Sequence, residues 1–263
     1  MDWLFIAMAL LIPVLLGSAL INLLVPAAVP ARWAMVWGNG ALAGLLMIPL
    51  LMRVLDLIGL SPLFPLTATC AVMALACLVF LRWRQRPALA PKRHEITAPL
   101  PVFSRMLLAL VVVLLILRLV SLGLELWWRP LFPFDATMHW ATKARVWFDR
   151  GLLAPFVDNS EWLQSFTDGV FTDHHPAYPR TISLLQLWMV SAVDRWDESL
   201  MNLPWLLCYG ALGLLFFAQL RAAGLPLLSA LVFTYLLLSM PLLNTHVALA
   251  GYADLFMGAC YGA

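Results

Sequence analysis

An Asp, a His and a Lys stand at four-residue steps in the longest polar segment of an otherwise apolar chain. They are Asp135, His139 and Lys143, within the stretch PFDATMHWATKARVW. Residues four apart lie on one flank of a helix, so the three side chains would share one side. A carboxylate there could act as a general base, and the His and Lys could bind an anion. The alternative is a surface helix whose charges are only solvated.

The helix expected to carry these residues is bounded on both sides. Pro133 prevents a helix from continuing out of the preceding apolar run, and Asp135 is expected to be the N-cap. Gly151 is expected to end the helix. Trp140 and Trp147 suit a helix lying at the level of lipid headgroups, where indole rings are enriched.

A second polar segment, FTDHHPAYPRTISLLQLW, places charged and aromatic side chains before a short apolar helix. His174 and His175, with Asp173 beside them, could ligate a metal, although adjacent side chains usually diverge. A role in binding an anionic group is favoured, because helix N-termini attract phosphates. Arg180, in the first turn, would add a fixed positive charge.

The third segment is NTHVALAGYADLFMG, in which Asp254 begins an apolar run. A carboxylate near a membrane-embedded segment is costly and often functional. The simpler interpretation is an N-cap or first-turn carboxylate that interacts with the helix dipole. Elsewhere, Arg53 and Asp56 are three residues apart and are expected to form a local ion pair.

The composition indicates an all-α, polytopic membrane protein. Of 263 residues, 63% are hydrophobic and 11% are charged, whereas soluble domains are nearer half apolar and a quarter charged. The net charge of +2 gives no indication of nucleic-acid binding. The apolar runs fall at about 3–25, 36–60, 62–81, 105–126, 198–220 and 225–245, and a seventh starts near Gly251. That last run stops at Ala263, so we expect an N-terminal fragment of a longer protein with a retained first helix.

The distribution of charge predicts the orientation. The short loop LRWRQRPALAPKRHE is rich in Lys and Arg and should be cytoplasmic, which places residues 127–197 outside. Ten of the fourteen acidic residues lie between Glu125 and Glu198, in agreement with an external loop. The apolar stretch 180–193 is too short to cross and is interpreted as an amphipathic helix in the outer interface. This topology brings Asp135, the His174–His175 pair and Asp254 to one membrane face.

The three polar segments, in this order, resemble the GT-C superfamily of integral-membrane glycosyltransferases. The likeness is to bacterial relatives of dolichyl-phosphate-mannose protein mannosyltransferases and to aminoarabinose transferases. WWRPLFPFDATMHWATKARVWFDRG is similar to the first external loop of that family, with its acidic residue. HHPAYPRTISLLQLW resembles the motif that closes the loop, WDESLMNLPWLL the start of the next helix, and GYADLFMG a later external motif. The resemblance covers about residues 105–263.

The resemblance implies sugar transfer from a polyprenyl-phosphate carrier to a lipid, glycan or protein acceptor, usually with inversion, on the external face of a bacterial inner membrane. Asp135 would be the catalytic base. Substrate and phosphate contacts would come from the remaining candidates, which are His139, Lys143, His174, His175, Arg180 and Asp254. Some members of the superfamily require a divalent cation, Mg²⁺ or Mn²⁺, which Asp254 could help to bind. No cofactor is certain.

The expected organisation is three transmembrane helices and a basic cytoplasmic loop in residues 1–104, followed by a truncated catalytic core in residues 105–263. Two other classes of function stay open. A transporter or flippase would place ionisable residues at mid-membrane and show repeated halves, whereas here they gather in one external loop. A non-catalytic membrane scaffold would leave the Asp135–His139–Lys143 series without a chemical role.

Overall fold

Helices account for about 75% of the chain in this computed structural model. The structure describes residues 2–85, 101–164 and 167–263. Most of the predicted basic loop lies outside these residues. The helices are α1 Asp2–Leu24, α2 Arg32–Leu57, α3 Phe64–Arg84, α4 Val102–Trp128, α5 Thr142–Arg150, α6 Asn159–Gln164, α7 Thr181–Val193, α8 Leu203–Ala222, α9 Leu227–Leu238, α10 Pro241–Ala248 and α11 Asp254–Tyr261. A π-helical turn, Ala136–Ala141, precedes α5, and a 3-10 turn, Leu200–Asn202, precedes α8.

Five helical segments in the described ranges are long and apolar enough to cross a membrane, as the composition predicted. They are α1, α2, α3, α4 and the combined segment Leu200–Ala222. The run 225–245 differs from the single helix expected, because α9 and α10 are bent by 59° at a short break. Pro241 begins α10, and a proline both lacks the N–H that would continue α9 and restricts the residue before it.

Close packing of α1 against α2 depends on glycine. A Cβ at Gly44 would collide with the carbonyl oxygen of Pro13, and one at Gly17 would collide with the carbonyl oxygen of Gly40. Gly40 and Gly44 form the small-xxx-small spacing that lets two helix backbones approach inside a membrane. The backbones of α1 and α2 therefore approach each other closely.

One end of the bundle gathers the polar segment 129–199 against the ends of several helices. The contacts are an ion pair between Asp2 and Arg195 at 2.7 Å, stacked rings of Trp3 and Trp127 at 5.0 Å, a hydrogen bond from the Leu153 amide to Asp56 at 3.2 Å, and one from the Phe64 amide to Ser191 at 3.2 Å. Asp56 thus binds a distant backbone amide, and the expected pair with Arg53 is wrong. We call this the loop end of the bundle, while Arg84 and Arg221 lie at the far end of α3 and α8.

The short helix α7 differs most from its prediction. It spans 13 residues, within the apolar stretch 180–193 that was expected to be too short to cross, but every residue from Ile182 to Ala192 is buried. It packs against α1, α2, α3 and α5. A helix that is apolar on all sides is typical of a protein interior and not of a membrane surface. The amphipathic interpretation of this helix is therefore wrong. The amphipathic helix of this region is α5, which buries Lys143, Ala144 and Trp147 and exposes Arg145 and Asp149.

Candidate functional site

The helix carrying His139 and Lys143 begins two residues earlier than predicted. Phe134 is already helical, and Asp135 has helical backbone angles with no capping hydrogen bond from its side chain. The prediction of Asp135 as a side-chain N-cap is therefore wrong. Pro133 instead begins the segment by accepting hydrogen bonds from the amide and the hydroxyl of Thr137, both at 3.0 Å. Gly151 ends α5 as predicted, with a φ of 71°.

Residues 136–141 form a π-helical turn, so the helix is wider there than an α-helix. Such turns are rare, are costly in regular packing, and are frequent at functional sites. In this turn His139 and Trp140 are buried, while Met138 on the other side is 43% exposed. The turn therefore aims an imidazole and an indole into the loop end of the bundle.

A two-residue pairing of parallel strands brings the second polar segment to this helix. β1, Phe156–Val157, pairs with β2, Phe171–Thr172. The amide of Asp173 then donates to the carbonyl of Val157 at 3.0 Å. This pairing fixes Asp173 directly after β2 and turns its side chain toward α5.

The carboxylate of Asp173 is the centre of the site. Its Oδ1 lies 2.8 Å from His139 Nδ1, and its Oδ2 lies 2.7 Å from Lys143 Nζ. The backbone amide of His175 also donates to Oδ1 at 3.2 Å, and Lys143 Nζ donates to the His175 carbonyl at 2.9 Å. The side chains of Asp173 and Lys143 are 2% and 1% exposed. We call Asp173, His139, Lys143 and His175 the Asp173 cluster.

The electrostatics of this cluster favour an ionised Asp173. Burial alone would raise the pKa of its carboxyl, but hydrogen bonds from Lys143, His139 and the His175 amide outweigh burial, so the pKa lies below its usual value. An ionised Oδ1 accepts the Nδ1 proton of His139, which leaves the Nε2 atom of that ring for other partners. Lys143 directs its ammonium group at Asp173 and the His175 carbonyl, so its charge holds the loop in place.

Aromatic rings connect the cluster to the membrane-facing part of the bundle. The ring of His175 stacks on Tyr178 at 4.6 Å, and Tyr178 stacks on Trp140 at 5.4 Å. The ring of His139 lies 4.8 Å from that of His175. Tyr178 was not among the predicted site residues, and its only signal in the sequence was its place between two prolines in HHPAYPR.

An apolar cavity of about 390 Å³ lies on the other side of this aromatic wall. Trp140 and Tyr178 form one side, Ile182 at the start of α7 another, and Phe256 and Met257 of α11 a third. The cavity could hold a hydrocarbon chain, because its lining offers almost no polar partner. The polar cluster and the apolar cavity thus share the Trp140–Tyr178 wall.

Asp135 and Asp254 form a separate acidic patch at the same end. Both are exposed, and neither carboxylate has a hydrogen-bond or ion-pair partner within residues 2–85, 101–164 and 167–263. The pKa of Tyr252 is raised by partial burial and then by the charges of Asp135 and Asp254, since both carboxylates lie near its phenol. A Cβ at Gly251, whose φ is 112°, would collide with Ala136, so only glycine permits this approach.

Two predicted residues stand apart from the Asp173 cluster. The His174 ring is exposed and lies 3.3 Å from the side-chain amide of Asn159. The Arg180 guanidinium lies 5.9 Å from the centre of the buried Trp147 ring. The structure thus brings three of the seven predicted residues, His139, Lys143 and His175, together around Asp173. Asp173 precedes the two histidines in the sequence but was not itself a predicted site residue.

The Asp173 cluster does not fit a divalent cation. No group of three His, Cys, Asp or Glu side chains within the described part of the chain could hold a metal ion. At Asp173 the ammonium of Lys143 already occupies the position beside Oδ2 that a cation would take. We therefore derive no step through Mg²⁺ or Mn²⁺.

Comparison of the chain with protein-family models, with curated proteins and with solved structures found no match.

Proposed function

We propose that this protein is a GT-C-type membrane glycosyltransferase that moves a sugar from a polyprenyl-phosphate carrier to a lipid, glycan or protein acceptor. One observation carries the proposal: an apolar cavity and the Asp173 cluster share the Trp140–Tyr178 wall at the loop end. A polyprenyl phosphate has the same two parts, a long apolar chain and an anionic head. The adjoining sites are complementary to such a carrier.

In this proposal the prenyl chain lies in the apolar cavity against α11, and the phosphate lies at the Asp173 cluster. The ring of His175 and the Nε2 atom of His139 are the groups offered to it. Because Nδ1 of His139 donates its proton to Asp173, Nε2 donates to the phosphate only when the ring carries a second proton. Donors that are fixed in advance stabilise the charge that the phosphate gains as the sugar departs. Asp173 and Lys143 are positioning residues, because their charged atoms are directed at each other and at the loop backbone.

Asp135 is the proposed general base, because its carboxylate is exposed and has no partner in the described residues. It would accept the proton of the acceptor hydroxyl while that oxygen attacks the anomeric carbon. The bond between that carbon and the phosphate oxygen breaks, and its electron pair leaves with the phosphate. Attack from the opposite side inverts the configuration. Asp254, beside the same Tyr252, would bind hydroxyl groups of the sugar or acceptor.

We further propose that the loop end faces outward from a bacterial inner membrane. The far end carries Arg82, Arg84 and Arg221, whereas the loop end holds most of the acidic residues, and cytoplasmic ends are enriched in Lys and Arg. Cysteines introduced at Asp158 and Asp254 should both react with an impermeant thiol reagent added outside intact cells. Labelling of the two cysteines from opposite sides of the membrane would contradict this orientation.

The function is tested by replacing the proposed base. Asp135→Asn should lower transfer by about 10²–10⁴-fold, because an amide cannot accept the proton. The substrates are a panel of polyprenyl-phosphate-linked sugars, with membrane extract as acceptor. Binding of farnesyl phosphate, measured by quenching of Trp fluorescence, should be unchanged. Asp149→Asn is the matched control, since Asp149 is an exposed carboxylate that pairs with Arg145 on the same helix.

Undiminished sugar transfer by the Asp135→Asn variant would contradict the assignment of Asp135 as the general base. If the unaltered protein neither binds farnesyl phosphate nor transfers any sugar of the panel, the glycosyltransferase proposal fails as a whole. A transporter or a scaffold would then be the better description. A flippase would bind the prenyl phosphate and move it between leaflets of a vesicle without any transfer.

A further inference from the structure

A second cavity opens at the far end of the bundle, away from the Asp173 cluster. It has a volume of about 420 Å³ and lies between α1, α2 and α3. Its deeper walls are apolar and include Leu15 of α1 and Leu75, Leu78 and Val79 of α3. This cavity has no part in the proposed transfer reaction, because helix-spanning distances separate it from the loop end.

Two guanidinium groups line the mouth of this cavity. Arg32, at the start of α2, is held by the side chain of Asn22 at 2.7 Å and by the Val25 carbonyl at 3.1 Å. Arg82, in the last turn of α3, has no hydrogen-bond or ion-pair partner in the part of the chain that the structure describes. No acidic residue is among the described residues that line the cavity, so its positive charge is not neutralised there.

The same mouth carries two tryptophans with large exposed areas. Trp33 is 59% exposed and Trp37 is 42% exposed, and both line the cavity. Indole rings of membrane proteins settle at the boundary between hydrocarbon and headgroups. The cavity therefore has an apolar interior, an aromatic rim of the kind found at headgroup level, and two cations at that rim with no acidic neighbour among the described lining residues.

We propose that this cavity is a binding site for a phospholipid with a net negative headgroup. The phosphate lies at Arg82 and Arg32, and one acyl chain lies along Leu15, Leu75 and Leu78 between α1 and α3. Charge complementarity selects an anionic headgroup over a zwitterionic one, since basic pockets between transmembrane helices bind anionic lipids. The apolar walls select a lipid over free phosphate, which would leave them uncovered.

The experiment compares two arginines of the same helix turn. Purified protein in a neutral detergent is titrated with phosphatidylglycerol, and the bound lipid is counted by native mass spectrometry. Arg82→Gln should weaken binding about fivefold, the effect of one basic residue near an anionic lipid. Arg84→Gln is the matched control, because Arg84 lies two residues away but does not line the cavity. That variant should change the affinity less than twofold.

Two further measurements define the ligand. Leu75→Trp should fill the apolar part and reduce lipid occupancy while leaving the unfolding temperature without lipid unchanged. Phosphatidylcholine should bind more weakly than phosphatidylglycerol, and inorganic phosphate should not displace the lipid. The proposal is overturned if Arg82→Gln and Arg84→Gln lose affinity equally, if the two lipids bind alike, or if inorganic phosphate empties the site. None of these outcomes depends on glycosyl transfer.

Discussion

The loop end contains two kinds of carboxylate that differ in almost every physical respect. Asp173 is buried, its two oxygens face a histidine, a lysine and a backbone amide, and its pKa is lowered. Asp135 and Asp254 are exposed and have no partners among the described residues. A carboxylate whose oxygens are already occupied holds other groups in place, whereas an unoccupied one can accept a proton or bind a hydroxyl. The role of each aspartate therefore follows from the groups that contact its carboxylate and not from its residue type.

The largest effect should come from removing the charge of Asp173. Asp173→Asn leaves the ammonium of Lys143, which is 1% exposed, without a counter-charge. Breaking a buried ion pair from one side typically costs about 3–5 kcal/mol. Hydrogen exchange of the amides in α5 and around His175 should therefore quicken strongly, while exchange in α1 and α2 stays slow.

Two further variants sharpen this result. Adding Lys143→Met to Asp173→Asn removes the stranded charge and should restore much of the lost protection, since the pair may be replaced by groups of similar volume. Asp149→Asn breaks only the exposed pair with Arg145 and should cost well under 1 kcal/mol. Unchanged exchange in Asp173→Asn would mean that the cluster does not hold the loop.

Acid should weaken the loop end by protonating Asp173. The pKa of Asp173 is lowered in the folded protein, so its contribution to stability is fully present above the usual Asp value of about 3.9. That contribution is lost as the pH falls through the lower folded-state value. The difference in loop stability between the unaltered protein and Asp173→Asn should therefore stay constant down to about pH 4 and shrink below it. Trp fluorescence from the loop end can follow it, and a difference that vanishes already near pH 6 would contradict the assignment.

The four-residue spacing predicted that Asp135, His139 and Lys143 would share a flank, because helix periodicity is a local property. Asp135 is exposed and pairs with neither of the others in the described residues, but His139 and Lys143 do both bind Asp173. Their partner was not predictable in this way. Asp173 reaches them only because β1 and β2 pair over an intervening segment, and no local pattern encodes that register. Asp56 gives the same lesson, since a nearby Arg53 suggested a local pair while the partner is the amide of Leu153.

The burial of α7 could not be predicted from its local sequence, whereas the bend between α9 and α10 could. The length of α7 followed from its apolar run, but an apolar run of that length fits a protein interior and a membrane surface equally well. Only the packing of α1, α2, α3 and α5 around it decides between them. The break between α9 and α10 did have a local signal in Pro241, which hydropathy alone does not weigh.

The smallest effect should come from His174, and it tests whether contacts rather than proximity in sequence define the site. His174 and His175 are adjacent, yet only the second has its ring against His139 and Tyr178. His174 is exposed, and its ring lies 3.3 Å from the side-chain amide of Asn159. His174→Ala should therefore change farnesyl phosphate binding less than twofold, whereas His175→Ala should weaken it about tenfold, the loss of one hydrogen bond to a charged group. Equal losses would show that the phosphate contacts both histidines. The binding site would then include His174 beside Asn159 as well as the Asp173 cluster.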